Sequence, residues 1–236
     1  MKLSVLMPVY NEADTVWEAV RRVRSMDVVK EVIVIDDGST DGSREILNRI
    51  EAESRKDDDS RNDLKVIYQP VNRGKGAAIR AGVPLVTGDI IIIQDADLEY
   101  DPQDFENLLT PILSGKADVV YGTRFYGGGP HRVLFFWHYL GNQILTLFSN
   151  LLTNLNLSDM EVGYKAFRSE VLKSIQIKSN RFGFEPEITI KVAKGGFRVY
   201  EVPISYYGRT YKEGKKITWK DGIAAFYYLL RYRLKD

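Results

Sequence analysis

Two aspartates, Asp95 and Asp97, follow four consecutive isoleucines, a run apolar enough to form a buried strand. Carboxylates at positions i and i+2 of an extended turn can point the same way, and without a counter-ion one of them takes up a proton. Mg²⁺ and Mn²⁺ prefer such hard oxygen ligands and commonly join one or two carboxylates to substrate phosphates. A cation bound there would stabilise the charge on a departing diphosphate.

An Asp-x-Asp pair alone is a weak motif, because an ordinary turn with an aspartate N-cap has the same sequence. Two further polar turns favour a binding site: Pro8–Glu12 follows the first predicted strand, and Asp36–Gly42 follows the second. Ligands of open α/β sheets bind beyond the carboxyl ends of the strands, so the three turns predict one composite pocket. Asp36 or Asp37 would accept hydrogen bonds from a nucleoside, whereas Asp41 suits a helix N-cap.

A fourth segment, Asn72–Gly76, places two cations and two glycines where a helix is predicted to begin. A helix N-terminus with a nearby lysine such as Lys75 suits a phosphate group. The segment is not a P-loop, because the spacing Gly-x4-Gly-Lys-Ser/Thr is absent.

Composition excludes several classes of function. The 236 residues fit one large domain or two small ones, and 44% of them are hydrophobic, as in folded globular proteins. There is no cysteine, which excludes disulfides, thiolate metal sites and a cysteine nucleophile and is compatible with a reducing compartment. A net charge of +1 gives no general support for a nucleic-acid partner.

Short apolar runs alternate with helical patterns in the first half of the chain. The segments rich in Val and Ile that we predict as strands are Leu3–Pro8, Glu31–Asp36, Leu64–Gln69, Ile90–Gln94 and Asp118–Tyr121. The predicted helices between them are Ala13–Ser25, Ser43–Ala52, Lys75–Val86 and Gln103–Leu113. This alternation predicts an α/β fold with a mostly parallel sheet that helices cover on both faces.

The second half changes character after Gly127–Pro130, which we predict as a mobile loop. Trp137–Leu155 has apolar residues at helical spacing with amides and hydroxyls opposite them, which predicts an amphipathic helix. Val133–Leu157 contains no Asp, Glu, Lys or Arg, but its polar residues argue against a membrane-spanning helix. Further helices are predicted over Phe184–Lys194 and Trp219–Leu234, and a strand over Phe197–Pro203.

Taken together, these turns resemble those of the family 2 glycosyltransferases of the GT-A fold. The matching segments are Ser4–Glu12, Val34–Gly42, Asn72–Gly76, Asp89–Glu99, Gly122–Arg124 and Asp159–Lys165. The resemblance covers nearly the whole chain and is strongest for polyprenyl-phosphate hexosyltransferases, such as dolichyl-phosphate mannose synthase and dolichyl-phosphate glucosyltransferase. It implies one Rossmann-like GT-A domain over residues 1–236, with C-terminal amphipathic helices. Residues 1–122 would bind the nucleotide sugar and residues 123–236 the acceptor.

The motifs and the resemblance together imply roles for individual residues. Those that would bind the nucleotide sugar are Pro8, Tyr10, Glu12, Asp36, Asp37, Lys75, Asp95 and Ala96. Those that would hold the Mg²⁺ or Mn²⁺ cofactor are Asp95, Asp97 and Glu99. Those expected to be catalytic are Asp97, Arg124, Asp159 and Lys165. Those expected to bind the lipid phosphate are Arg132 and Arg209.

The implied reaction is an inverting displacement at the anomeric carbon of the sugar. A polyprenyl phosphate acceptor is already anionic, so positioning and charge stabilisation are sufficient and no strong base is required. Asp159 would then orient Arg124, Lys165 or the sugar. A hydroxyl acceptor would need a general base instead, and the candidates are Asp159 and Glu161.

The donor is predicted from the segments in which this sequence differs from the mannose synthases. Mannose synthases usually carry a Tyr-Gly-x-Ser-Lys segment near the end of the domain, and Arg209–Lys216 departs from it. Asn72–Gly76 is more similar to the glucosyltransferase branch, so we expect a UDP-hexose such as UDP-glucose, with GDP-mannose as the alternative. The Gln-x-x-Arg-Trp signature of processive synthases is absent, so one sugar is expected per turnover.

Three other functions stay open at this point. The nearest rival is a transferase that acts on a hydroxyl group of a glycan or a protein. A nucleotidyltransferase usually has a glycine-rich loop directly after the first strand, and Pro8–Glu12 contains no glycine. A non-catalytic nucleotide-binding module is disfavoured because the metal carboxylates, the arginines and the sugar-side residues occur together.

The predicted location is the cytoplasmic face of a membrane, with the protein bound peripherally. The apolar run at the N-terminus is too short for a signal peptide, so we expect the domain to stay in the cytoplasm. Trp137–Leu155 and Phe226–Arg233 combine aromatic, apolar and basic residues as interfacial segments do. The simpler alternative is that both helices pack on the core or form a homodimer, and a membrane-protein partner is also left open.

Overall fold

The computed structural model describes residues 1–55, 63–125, 132–133, 135–210, 213–214, 216 and 219–235. The loop predicted over Gly127–Pro130 lies outside these residues. The strands are β1 (Leu3–Val9), β2 (Val29–Asp36), β3 (Asp63–Tyr68), β4 (Ile90–Ile93), β5 (Val119–Thr123), β6 (Lys165–Arg168) and β7 (Val199–Pro203). The α-helices are α1 (Val16–Arg24), α2 (Ser43–Ser54), α3 (Lys75–Gly82), α4 (Phe105–Leu113), α5 (Phe136–Thr153), α6 (Ser169–Ser174), α7 (Phe184–Lys194) and α8 (Trp219–Lys235). Short 3₁₀ helices cover Val83–Leu85 and Pro102–Asp104.

The strands form one sheet in the order β3-β2-β1-β4-β6-β5-β7. All neighbours pair in parallel except β6, which runs antiparallel to both β4 and β5. The carboxyl ends of the six parallel strands and the amino end of β6 therefore lie at one edge of the sheet. This arrangement confirms the predicted α/β fold and brings the polar turns together.

Strand β6 was not predicted from the sequence. Its four residues, Lys165–Arg168, begin and end with a cation and follow a turn rich in polar groups. The strand forms because it lies between β4 and β5, where its backbone completes the hydrogen bonding of both neighbours. Its insertion places the turn before it, Asp159–Tyr164, at the same edge as the polar turns of the first half.

The main core lies between the sheet and the helices on its two faces. The four isoleucines of β4 are at most 1% exposed, as expected of a central strand covered on both sides. Gly82 allows α3 to lie close to the sheet, because a Cβ atom there would come within 2.8 Å of Ile35 and 2.9 Å of Leu6. This close approach fixes the position of Lys75 at the start of α3.

A second, smaller core joins α5, α7 and α8 beside the sheet. Its buried residues are Leu145, Met160, Ile190, Ala225, Leu229 and Tyr232. Phe148 of α5 packs against Phe226 of α8, with ring centroids 5.3 Å apart. Within the described residues, no helix combines the length and the apolar character that a membrane span needs.

Candidate active site

A cavity of about 1340 Å³ opens at the edge of the sheet where the polar turns meet. The turns after β1, β2, β4, β5 and β7 line it, and so do parts of α5, α7 and α8. The residues predicted for the site that line this cavity are Pro8, Tyr10, Glu12, Asp37, Lys75, Asp95, Ala96, Asp97, Glu99, Arg124, Arg132 and Arg209. The sequence therefore predicted the location of the cleft and most of the charged side chains that line it.

The turn after β1 is held in place from two sides. Asn11 has a left-handed backbone, with φ at 50°, and its N–H donates to the Ser39 hydroxyl in the turn after β2, at 3.0 Å. The Glu12 carboxylate accepts hydrogen bonds from the Arg209 guanidinium at 3.0 and 3.1 Å. Lys216 Nζ donates to the same carboxylate at 2.7 Å. Residues near the C-terminus thus cover the turn that was predicted to bind the nucleoside.

The turn after β2 separates the two adjacent aspartates. Asp37 lines the cleft and accepts hydrogen bonds from Asn72 Nδ2 at 3.0 Å and from the N–H groups of Arg73 and Gly74 at 2.9 and 2.6 Å. Burial raises the pKa of Asp37, although these hydrogen bonds oppose the shift. Asp37 therefore fixes the Asn72–Gly74 segment beside the cleft.

The position of Asp36 in the structure does not support the nucleoside-binding role predicted for it. Its side chain is fully buried and lies outside the cleft lining. Its carboxylate accepts a hydrogen bond from Arg44 Nε at 2.6 Å and from the Ser39 N–H at 3.3 Å. Side chains alternate along a strand, so two adjacent aspartates at a strand end face different environments. Asp36 stabilises the turn, and Asp37 faces the ligand cleft.

Lys75 links the turn after β4 to the start of α7. Its Nζ lies 2.8 Å from Asp95 Oδ1 and 3.0 Å from Glu185 Oε1. Gly163 packs directly on Asp95, so a side chain at that position would collide with the carboxylate. Glu185 lines the cleft but was not predicted, because an acidic residue in the first turn of a helix has an ordinary structural explanation.

Asp97 lies among charges of both signs. Its Oδ2 is 3.2 Å from Arg209 Nη2, and its Oδ1 accepts the Glu99 N–H at 3.1 Å. Burial raises the pKa of Asp97 to about 7, and the carboxylates of Glu99 and Asp95 add to this effect while Arg209 opposes it. The site therefore carries more negative charge than Arg209 neutralises.

The three predicted metal ligands do not converge on one point. Glu99 accepts hydrogen bonds from the Tyr206 hydroxyl at 3.0 Å and from the Arg209 N–H at 2.8 Å. Among the residues that the structure describes, no group of three acidic or imidazole side chains is arranged to hold a metal ion. Asp95 and Asp97 still fit Mg²⁺ or Mn²⁺, because these ions need only one or two protein carboxylates beside substrate phosphates. The crowded negative charge around Asp97 also suits a cation.

Arg124, directly after β5, is bound in a bidentate ion pair. Its Nε and Nη2 donate to the two oxygens of Asp159 at 2.6 and 2.7 Å, and its backbone N–H donates to the same carboxylate at 3.1 Å. The guanidinium carbon also lies 5.1 Å from the centre of the Tyr206 ring. Asp159 is fully buried and does not line the cleft, whereas Arg124 does. Asp159 therefore orients Arg124 and is not placed to act as a base.

The position of Lys165 in the structure does not support the catalytic role predicted for it. The side chain is fully buried at the start of β6 and lies outside the cleft lining. Its ammonium group donates to the carbonyl oxygens of Met160, at 3.2 Å, and Val162, and it lies 4.8 Å from the centre of the Tyr121 ring. Burial lowers its pKa to about 8. Lys165 shapes the turn before β6 from behind.

The family assignment follows from comparison with known sequences. The sequence model of "Glycosyl transferase family 2" matches residues 4–176, which include all of β1 but its first residue, β2 to β6, and every turn described above except that after β7. This chain belongs to that family. It is therefore a glycosyltransferase, as its resemblance to the family implied.

Two curated relatives of this glycosyltransferase match over most of its length. It is 30% identical over 227 residues to the undecaprenyl-phosphate mannosyltransferase of Micrococcus luteus, a match that covers 91% of this chain and 87% of the relative. It is 29% identical over 211 residues to the polyprenol monophosphomannose synthase of Mycolicibacterium smegmatis, with 87% and 77% covered.

Solved structures confirm the GT-A fold of the glycosyltransferase. The glucosyl-3-phosphoglycerate synthase of Mycobacterium tuberculosis, in complex with Mn²⁺, UDP and glucosyl-3-phosphoglycerate, superposes with a TM-score of 0.73. The match covers 99% of this chain and 78% of the synthase, at 21% sequence identity. At that identity the similarity concerns the fold alone.

The two arginines that were predicted to bind the lipid phosphate lie in different surroundings. Arg132 is exposed and lines the glycosyltransferase cleft, where its Nη1 donates to Glu213 at 2.8 Å and to the Gly208 carbonyl at 3.2 Å. Arg209 lies deeper and is bound to Glu12 and Asp97. Sequence reasoning did not identify these long-range partners.

Proposed function

We propose that this glycosyltransferase transfers one hexose from a nucleotide sugar to a polyprenyl phosphate by a single inverting displacement. The observation that carries the proposal is the Arg124–Asp159 pair. It presents a guanidinium to the cleft and occupies the carboxylate that was one of the two candidate bases. An acceptor phosphate needs no deprotonation by a base, and it benefits from cations at the site. Two relatives named for polyprenyl-phosphate substrates support this acceptor.

For the donor, we propose GDP-mannose in place of the UDP-glucose expected from the sequence. Two relatives that match most of the chain are named as a mannosyltransferase and a phosphomannose synthase. The earlier expectation depended on two short segments, Asn72–Gly76 and Arg209–Lys216. A match over about nine tenths of the chain outweighs them.

The proposed cofactor is Mg²⁺ or Mn²⁺ bound to Asp95 and Asp97. When bound, the cation would neutralise charge on the diphosphate of the donor. Lys75 already lies against Asp95 at the start of α3, where it can bind a diphosphate oxygen. Arg124 faces the same space from β5 and is held rigidly enough to stabilise charge as the sugar moves to the acceptor.

The decisive experiment compares acceptors and donors in detergent solution. We expect radiolabelled mannose from GDP-mannose to appear on polyprenyl phosphate, and none on the dephosphorylated polyprenol, because the acceptor oxygen belongs to the phosphate. UDP-glucose is expected to give little product. Equal labelling of the polyprenol, or transfer to a soluble glycan alone, would exclude the phosphate acceptor, and preference for UDP-glucose would exclude the proposed donor.

A hydroxyl acceptor is the second candidate function, and one observation favours it. Glu161 lines the cleft, and burial together with the Glu185 carboxylate raises its pKa to about 8. A carboxyl group with a pKa near the working pH suits general base catalysis. The polyprenol and glycan arms of the experiment above distinguish this candidate from the first.

The proposed location is the cytoplasmic face of a membrane, with α5 and α8 against the lipid. Along α5, an exposed stripe at helical spacing includes Trp137, Leu147 and Leu151, which are 77%, 61% and 75% exposed. Along α8, a second exposed stripe includes Ile223 and Leu234, and exposed basic residues lie beside it. Both helices border the cleft, so lipid bound there would bring a polyprenyl phosphate to it. Binding to a membrane-protein partner and formation of a homodimer are still only predictions.

Membrane binding is tested with the double variant Leu147→Asp/Leu151→Asp. We expect its partition onto vesicles of phosphatidylglycerol and phosphatidylcholine to fall at least ~10-fold, since two apolar side chains would be replaced by charges. Cosedimentation measures the effect, and GDP binding should be unchanged. The matched control is Leu113→Asp, at a residue that is 56% exposed at the end of α4, away from both stripes. An equal loss of vesicle binding in the control, or no loss of vesicle binding in the double variant, would contradict the proposed membrane face.

A further inference from the structure

Among the described residues that line the cleft, one carboxylate oxygen has no hydrogen-bond partner. Oε1 of Glu161 is buried from solvent and makes no hydrogen bond, and the described residues give this side chain no ion pair. The other described carboxylates that line the cleft all have polar or charged partners: Glu12, Asp37, Asp95, Asp97, Glu99, Glu185 and Asp221. Glu161 is therefore the exception among the described carboxylates of the lining.

A buried oxygen without a hydrogen-bond partner destabilises the folded protein, so its presence needs an explanation. Leaving a buried acceptor unsatisfied costs about 1–3 kcal/mol, and native structures contain few such groups. Packing does not explain this one, because Glu161 borders an open cavity and its side chain is not fully buried. A ligand that donates hydrogen bonds would remove the cost when it enters the cleft.

The backbone around Glu161 is fixed before any ligand binds. Lys165 donates to the carbonyl oxygens on either side of it, those of Met160 and Val162. Two residues further on, the Gly163 N–H donates to the Tyr100 hydroxyl at 2.9 Å. A turn held from both ends places the Glu161 side chain reproducibly, as a residue that discriminates between ligands requires.

The order of the strands indicates which part of the donor reaches Glu161. The turns after β2 and β1 carry Asp37 and Glu12, where we place the nucleoside, and the turn after β4 carries the carboxylates that we place beside the diphosphate. Glu161 belongs to the turn before β6, the next strand after β4 in the order β2-β1-β4-β6. The part of a nucleotide sugar that follows the diphosphate is the hexose.

The charges around Glu161 exclude a phosphate as its partner. Glu185 and Asp159 are negative, and Lys165 and Arg124 are positive, among the groups that act on it. All four are already engaged in ion pairs or bound to carbonyl groups, so beside Glu161 they leave no net positive charge for an additional phosphate. Hydroxyl groups are neutral donors, and carboxyl oxygens accept their hydrogen bonds well.

We propose that Glu161 accepts a hydrogen bond from a hydroxyl group of the donor hexose and thereby contributes to the choice of sugar. The proposal rests on the nucleotide-sugar donor of the proposed function, but not on its acceptor. Glu161 is in this view a specificity residue of the donor site. A site built to bind a substrate hydroxyl discriminates strongly against analogues that lack it, because its own polar group is then left unpaired.

The test measures donor binding without an acceptor, by calorimetry with GDP-mannose and with GDP in the presence of Mg²⁺. Glu161→Ala is expected to weaken GDP-mannose binding by ~10-fold or more and to leave GDP binding within about twofold. Glu161→Gln keeps the shape of the side chain and one acceptor oxygen, so this variant should lose less affinity for GDP-mannose. The matched control is Glu170→Ala, at an exposed glutamate of α6. If the protein binds UDP-sugars instead, the same comparison is made with UDP-glucose and UDP.

Deoxy analogues of the donor identify the hydroxyl group. The wild-type protein is expected to lose affinity for one monodeoxy GDP-mannose, and Glu161→Ala should bind that analogue and the parent sugar equally. Equal weakening of GDP and GDP-mannose in Glu161→Ala would overturn the proposal. So would unchanged donor binding with a loss of transfer in Glu161→Gln, which would instead assign Glu161 as a base. If only the proposed polyprenyl phosphate acceptor is wrong, the donor-binding results expected here do not change.

Discussion

Replacing Asp97 by asparagine is expected to lower the rate of sugar transfer by at least ~100-fold, the scale on which loss of one charge-stabilising group affects catalysis. Asp97 lies beside two other carboxylates, Asp95 and Glu99, and Arg209 neutralises only part of their charge. Asparagine keeps the shape of the side chain but removes the charge that a divalent cation would balance. The variant should therefore bind Mn²⁺ more weakly as well as transfer sugar more slowly.

The Asp97→Asn variant is also expected to be as stable as the wild type, or more so. The substitution removes repulsion from Glu99 and Asp95, and Arg209 keeps its two hydrogen bonds to Glu12. A thermal melt therefore separates loss of catalysis from loss of folding, and electron paramagnetic resonance measures the bound Mn²⁺. The control is Asp63→Asn, at an exposed aspartate that begins β3. Wild-type transfer in Asp97→Asn, or transfer by the native protein in excess chelator, would refute a metal role for this residue.

The strands and the polar turns could be predicted because each depends on local sequence. A run such as Ile90–Ile93 has to be buried, and the residue after it has to leave the sheet, so the position of Asp95 follows directly. The predicted first strands and the observed ones agree to within a few residues for the same reason. Strand β6 escaped prediction because its pairing with β4 and β5 is long-range and its four residues carry two charges.

The partners of the charged residues could not be predicted. Asp36 and Asp37 are adjacent and chemically identical in the sequence, but in the structure Arg44 binds the first of them and the second faces the cleft. Arg209 was expected to bind a lipid phosphate, and in the structure it lies against Glu12, 197 residues away along the chain. Local sequence patterns carry no information on contacts of this kind, because they depend on how distant turns meet.

Replacing Arg124 by alanine is expected to reduce both stability and activity, and the two effects can be separated. Asp159 is fully buried and loses its ion-pair partner in this variant, which typically costs about 3–5 kcal/mol. Transfer should fall by ~100-fold or more, because the guanidinium that faces the cleft is lost. Urea denaturation measures the free energy of unfolding, and transfer is assayed at a saturating donor concentration.

The double variant Arg124→Ala/Asp159→Ala separates the two roles. Removing Asp159 as well eliminates the unpaired buried charge, so much of the lost stability should return, whereas transfer should stay as low as in Arg124→Ala. The Arg198–Asp118 pair is the matched control, since Arg198 Nη2 lies 2.7 Å from Asp118 beside the amino end of β5, opposite the cleft. The Arg198 side chain is 54% exposed, so Arg198→Ala should lower the free energy of unfolding far less than Arg124→Ala does and should leave transfer unchanged. If the double variant regained transfer together with stability, Arg124 would act through folding alone, and the cleft would need another group to stabilise the leaving diphosphate.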